Sequence, residues 1–321
     1  MDYSLFYRRD IDVSRIAVEL PQHDVLISAY NTSDRVRDVF SSVPATRKLW
    51  LMHPEYCFDR ANVGLMEETV WPESRNEVIQ VNALLAAIGP LDGRSICIDL
   101  TGFMRHVLVF LIAKLEYLGI REFTALYSEP LAYKRREDTA FSTTTSERVG
   151  PISGLRGRNL SSSADQLTDH LIISVGYDHK LIAQVAEYKN YTRVYPVFGF
   201  PSLAADMYQQ SAVSSYGSGA VAKSPDWYAN RRFSPANDPF ATADVVSRLV
   251  QEIDRANGPG NIYLAPLATK VQTLGFAIYW LFEGRRRQSG GVSLILPECL
   301  TYSRETSEGV KRLWAYTVEL T

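Results

Sequence analysis

The stretch ICIDLTGFMRHVLVFLIAKLEYLGIREFTALYSEPLAY, Ile96 to Tyr133, leaves a chain few ways to fold. A short apolar run ends at Asp99, Thr101 and Gly102. Apolar residues then recur at helical spacing (Val107, Leu108, Leu111, Leu115, Leu118), and a second apolar run leads to Glu129. An apolar run, a polar turn, a helical period and a second run make strand, helix and parallel strand. Such a unit delivers the residues after its first strand, here Asp99 to Arg105, to the crevice where open α/β sheets take ligands.

The same alternation flanks it. Strands are expected at 24–30, 48–53 and 123–127, with helices around Val36 to Val43 and over 76–88, where Gly89-Pro90 stops the chain. From Asp169 the pattern restarts: strands at 170–175, 193–198, 261–264 and 292–296, and helices at 181–186, 243–253 and 269–282. The sequence therefore predicts an α/β protein of two tandem Rossmann-like lobes with mainly parallel sheets. Residues 1–133 form the first lobe. Residues 169–321 form the second, with an irregular insertion at about 203–240. The intervening 134–168, rich in Ser, Thr, Gly and Arg, reads as a linker, a surface hairpin or a flexible flap whose Arg156 and Arg158 could meet anions. The alternating RLWAYTVEL at the end closes a sheet edge.

The halves share more than hydrophobic pattern. Ile96 and Ile262, Leu108 and Leu274, and Leu115 and Leu281 are separated by one constant offset. After a slightly longer loop, EPLAYKR matches ECLTYSR, pairing Glu129 with Glu298, Tyr133 with Tyr302 and Arg135 with Arg304. A tandem duplication accounts for charged and aromatic residues at fixed spacing, which apolar pattern alone does not.

With 34 basic and 36 acidic residues, nothing marks a wholesale nucleic-acid or membrane-surface binder. Three widely spaced cysteines (Cys57, Cys97, Cys299) read as small buried residues in a reducing compartment. No apolar run reaches membrane-spanning length, so a cytoplasmic location is expected. HExxH, the P-loop, GxGxxG and GxSxG are absent, and no Cys/His spacing suggests a metal or other cofactor.

The candidate ligand residues sit in loops after strands: Ser28, Asn31, Ser33 and Arg35; Asp99, Thr101, Gly102 and Arg105; Gly176, Tyr177 and Asp178; Thr269 and Lys270. Hydroxyls and amides at a helix start, with a cation just inside, suit phosphate or another anion, because unpaired N–H groups and the helix dipole favour negative charge there. Plain helix capping explains the same residues without a ligand. Glu129/Tyr133 and Glu298/Tyr302 supply either paired ligand contacts or a repeated structural bond. His106 and His179, just past strand ends, join Asp99 and Asp178 as candidate acid–base residues.

The turn Asp99-Leu100-Thr101-Gly102, with Thr269-Lys270 in the second copy, resembles the strand–turn–helix motif of CARF domains, Rossmann-like sensors of cyclic oligonucleotides in prokaryotic defence. That motif runs acidic or amide residue, Thr/Ser-Gly-Gly-Thr, then Lys or Arg opening a helix. Here Phe103 replaces the second Gly, and Ala268 stands where Gly is expected. The resemblance implies a nucleotide second messenger in a two-fold site that one chain supplies by itself.

Three functions remain open: a module binding a nucleotide-like, phosphate-bearing ligand in a crevice between lobes; an enzyme hydrolysing or transferring part of a nucleotide or sugar-phosphate, with Asp99 or Asp178 as base or nucleophile; and a scaffold binding a protein partner through Tyr216, Trp227, Tyr228, Arg231 and Arg232 in the 212–235 segment.

Overall fold

The computed structural model describes every residue except 62, 65–66, 134–141, 156–167, 289, 305–306 and 321. In chain order the strands are β1 (Arg8–Ile11), β2 (His23–Ala29), β3 (Ala45–Leu51), β4 (Glu68–Val70), β5 (Ile96–Asp99), β6 (Glu122–Tyr133), β7 (Ser142–Pro151), β8 (Asp169–Val175), β9 (Arg193–Gly199), β10 (Arg232–Ser234), β11 (Asn261–Pro266), β12 (Val292–Tyr302) and β13 (Ser307–Glu319). The helices are α1 (Ile16–Glu19), α2 (Asp34–Ser42), α3 (Glu77–Ile88), α4 (Arg105–Tyr117), α5 (His179–Glu187), α6 (Met207–Tyr216), α7 (Ala220–Lys223), α8 (Pro225–Ala229), α9 (Pro239–Asn257) and α10 (Lys270–Phe282).

Among the described residues these strands make a seven-stranded sheet, β1-β13-β6-β5-β2-β3-β4, and a six-stranded sheet, β10-β9-β8-β11-β12-β7. The inner strands of both run parallel. The α/β class and the mainly parallel sheets are as the sequence indicates. Five strands follow one order in each: β6-β5-β2-β3-β4 is matched by β12-β11-β8-β9-β10. In both, the chain steps outward over two strands and returns to the other side of its first strand. That reversal is a topological switch point, at β2/β5 in one sheet and β8/β11 in the other.

The chain divides into two compact units, and their boundaries depart from the expected 1–133, 134–168 and 169–321. One unit, the N-terminal lobe, is 6–145 with 299–321; the other, the C-terminal lobe, is 1–5 with 146–298. The difference lies in the strands that follow β6 and β12. Strand β13 pairs antiparallel along the length of β6, from Ser307↔Tyr133 to Glu319↔Glu122, so the last segment completes the N-terminal lobe's sheet. Part of the expected linker is β7, which lies beside β12. Arg156 and Arg158 lie outside the described residues.

Apolar spacing explains how each lobe closes. In the N-terminal lobe, Val36, Val39 and Phe40 of α2 bury against Leu26, Trp50, Cys97, Leu126 and Leu313 of the sheet, with the Phe40 and Trp50 rings stacked at 3.6 Å. Helix α4 buries Val107, Leu108, Leu111, Ile112 and Leu115. In the C-terminal lobe, α10 is buried on all sides, as a helix apolar all round must be. Its Gly275 lets α9 approach: a Cβ there would stand 2.4 Å from the Pro239 carbonyl oxygen.

The insertion is helical rather than irregular, holding α6 to α8, and it returns through β10. Trp227, expected as an interface anchor, is 1% exposed in the core, its ring edge-on to Phe198; Tyr216 is exposed. Cys57 is exposed, unlike buried Cys97. Among the described residues no helix is long and apolar enough to cross a membrane.

Candidate functional site

At the N-terminal lobe's switch point, the sequence folds the expected ligand residues into a buried polar network. Ser28 and Asp99 are register partners on β2 and β5, and the Ser28 hydroxyl donates to Asp99 Oδ2 at 2.9 Å. The Thr101 N–H donates to Asp99 Oδ1 at 3.0 Å, closing the turn. Thr101 Oγ1 meets the Ser128 hydroxyl at 3.0 Å and accepts from the Ser128 N–H. Arg35 Nη1 donates to the Ser128 carbonyl at 2.8 Å, and the Ser128 hydroxyl donates to the Arg35 carbonyl.

Asp99 is fully buried with donors on both oxygens, so it holds strand ends together and does not face a substrate as base or nucleophile. Burial raises its pKa above the ordinary carboxylate value, against the pull of its bonds to Thr101 and Ser28. Gly102 lies against the end of β2: a Cβ there would fall 1.9 Å from the Ala29 carbonyl oxygen. At the switch point the turn thus rests directly on the backbone end of β2.

Above it stand the first turns of α2 and α4. Neither N-cap, Ser33 or Met104, makes a side-chain cap bond, and Arg35 and Arg105 lie in those turns. Asn31 Oδ1 accepts the Ser33 N–H at 3.0 Å, an Asx turn. Beside them is an aromatic corner. Phe58 lies 5.0 Å from Tyr30 and 5.9 Å from Tyr56, and Tyr56 meets Tyr302 edge-on at 5.8 Å. The Tyr56 hydroxyl donates to the Gly102 carbonyl at 2.9 Å, tying the corner to the turn. Arg304 lies over Phe58 at 4.6 Å, donates to the Tyr56 carbonyl at 2.7 Å, and donates again to the carbonyl of Cys57. Cys57 has φ 50°, an uncommon conformation for a residue with a side chain.

The neighbouring wall is acid–base in character. The Met104 N–H donates to His53 Nε2 at 3.1 Å, which leaves the proton on Nδ1, 2.6 Å from Gln80 Oε1. Gln80 Nε2 then donates to Glu55 Oε1 at 3.3 Å and to the Arg75 carbonyl. Glu55 is completely buried. Burial opposes its ionisation most, but the hydrogen bond from His106 and the electrostatic pull of the neighbouring imidazoles outweigh it and hold the carboxyl below its ordinary range. His106 Nε2 lies 3.1 Å from the Arg75 carbonyl and 3.4 Å from Glu55 Oε1.

In the C-terminal lobe, the corresponding loops are capped by their own side chains. Asp178 Oδ1 accepts the Leu181 N–H at 3.3 Å. Thr269 Oγ1 accepts the Gln272 N–H at 3.1 Å and donates to the Ala236 carbonyl, with Lys270 opening α10. The Ser174 hydroxyl accepts from Ala268 N–H, and Gly176 packs on the Leu267 carbonyl. Tyr177 uses its carbonyl to accept from Ser214, and His179 packs beside Gly217. The capping explanation is satisfied there by bonds the lobe already makes.

The two glutamates expected to correspond make similar bonds: Glu129 accepts from the Trp314 indole N–H at 2.6 Å on β13, and Glu298 from the Ser146 hydroxyl at 2.7 Å on β7. Each ties its strand to the neighbouring outer strand. Tyr133 ends β6, opposite Ser307. The structure thus gathers Asn31, Ser33, Arg35, Gly102, Arg105, His106 and Tyr302 into one corner. Sequence reasoning missed Tyr56, Phe58, Glu55 and Gln80, which carry no motif; Arg304 was visible only through its match to Arg135.

No protein-family model, curated protein or solved structure matches this chain.

Proposed function

We propose that the corner of the N-terminal lobe binds a nucleotide-like ligand through its phosphate. The observation that supports this reading is the pairing of two unlike features at one strand edge. The α2 and α4 N-termini, uncapped by Ser33 and Met104 side chains, favour an anion. Phe58 and Tyr302, half-buried beside Arg304 and packed on the buried Tyr56 ring, offer faces on which a base can stack. The resemblance of the 99–105 turn to CARF domains narrows the ligand to a cyclic oligonucleotide, and with it a sensor role in prokaryotic defence.

Thermal denaturation in AMP, ATP, NAD and cyclic oligoadenylates tests it. A ligand at about one hundred times its Kd adds roughly 2.7 kcal/mol of stability. The shift should vanish in Arg304→Ala and shrink in Tyr302→Ala. Absence of a shift with every nucleotide refutes the reading.

A further inference from the structure

We propose that Glu55 and His106 form a proton-transfer pair that hydrolyses a phosphate ester held in this corner, with His106 Nδ1 taking the proton of the attacking water. The inference rests on the ligand reading above and adds a reaction to it.

The tautomer follows from the neighbours. His106 Nε2 faces two acceptors, the Arg75 carbonyl and Glu55 Oε1, so that nitrogen carries the hydrogen. Nδ1 therefore holds the lone pair, on a ring whose side chain is 20% exposed. Behind it Glu55 cannot reach solvent, and its orientation is fixed through Gln80, whose amide is itself aimed by His53. A buried carboxylate oriented against the inner nitrogen of a partly buried imidazole is the arrangement that fixes a tautomer and stabilises imidazolium as it forms.

A merely structural role fits poorly. Glu55 Oε2 is buried with no hydrogen-bond partner, an expensive state for a charged group whose two accepted bonds an amide oxygen could take as well. Charge is what the position adds. His106 is the second residue of α4 and Arg105 the first, so the pair lies at the first turn of a helix whose dipole favours an anion.

The step balances with water as the second reactant. Nδ1 accepts a proton as the water oxygen bonds to phosphorus, the ester P–O bond breaks, and the imidazolium returns the proton to the departing oxygen. The α4 helix dipole offsets the negative charge carried by the phosphoryl oxygens.

The full chain should turn over p-nitrophenyl phosphate or bis(p-nitrophenyl) phosphate above the buffer rate. His106→Gln should lower kcat by about a hundredfold or more. Glu55→Gln should lower kcat with KM little changed. Nitrogen-15 NMR of the His106 ring, needing no substrate, should show the Nε2–H tautomer. Absence of turnover, turnover unchanged in folded His106→Gln, or an Nδ1–H ring overturns the proposal. Melting in inorganic phosphate separates the two claims: a phosphate shift without turnover removes the hydrolase and leaves the ligand reading.

Discussion

Replacing Gly102 by alanine tests whether the switch point is closed by backbone contact. The added Cβ would stand 1.9 Å from the Ala29 carbonyl oxygen and 2.9 Å from its carbon, both main-chain atoms of β2. Ordinary contact needs well over 3 Å, so the turn must retreat by more than 1 Å. Retreat strains the Thr101 bonds to Asp99 and Ser128 and the Tyr56 bond to the Gly102 carbonyl. Overpacking of this kind costs about 1–3 kcal/mol, and weakening one or two buried hydrogen bonds adds roughly 1 kcal/mol each. Urea denaturation should therefore show Gly102→Ala less stable by about 2–5 kcal/mol. The control is Gly150→Ala, where a Cβ meets nothing within 4 Å. If the two variants differ by less than about 0.5 kcal/mol, the turn does not rest on β2 as described.

Other outcomes follow from the same contacts. Trp227→Ala should cost about 3–5 kcal/mol in the C-terminal lobe's unfolding, the cost of a core ring rather than a surface one; a loss below about 1 kcal/mol contradicts its burial. Thr269→Ala should lose about 1 kcal/mol through the α10 cap, with hydrogen exchange rising at Gln272. Asp99 has a raised folded pKa, so the stability linked to its proton is present below the unfolded value and lost as pH rises through the folded one. Asp99→Asn should therefore gain on the wild type between pH 4 and neutrality, measured by denaturation at several pH values, and a constant difference would show that Asp99 does not titrate this way.

Much of the fold was legible because its signals are local. Ile96–Asp99 followed by Arg105–Tyr117 reads as strand and helix from residues a few positions apart. Strands β4 and β10 have three residues each, too few to show a period. RLWAYTVEL announces one buried face but not which sheet buries it, since pairing with β6 joins residues distant in sequence. β7 hid in a Ser/Thr-rich segment because an outermost strand does not need an apolar sequence. The site divides the same way. Thr101, Arg105 and His106 follow a legible strand, whereas Glu55 gains meaning only from Gln80 and His106, which folding brings to it. Trp227 misled because Tyr and Arg neighbours look like an interface when burial is unknown.

The strand β13 also sets an order of events during synthesis. It lies between β1 and β6, and among the described residues β1 pairs with no other strand in its sheet. During synthesis β1 must wait for β13, while the long flank of β6 stays unzipped and open to mispairing with other nascent chains. A stop codon ahead of Ser307 would strike the lobe made first, leaving the six-stranded sheet with all its strands.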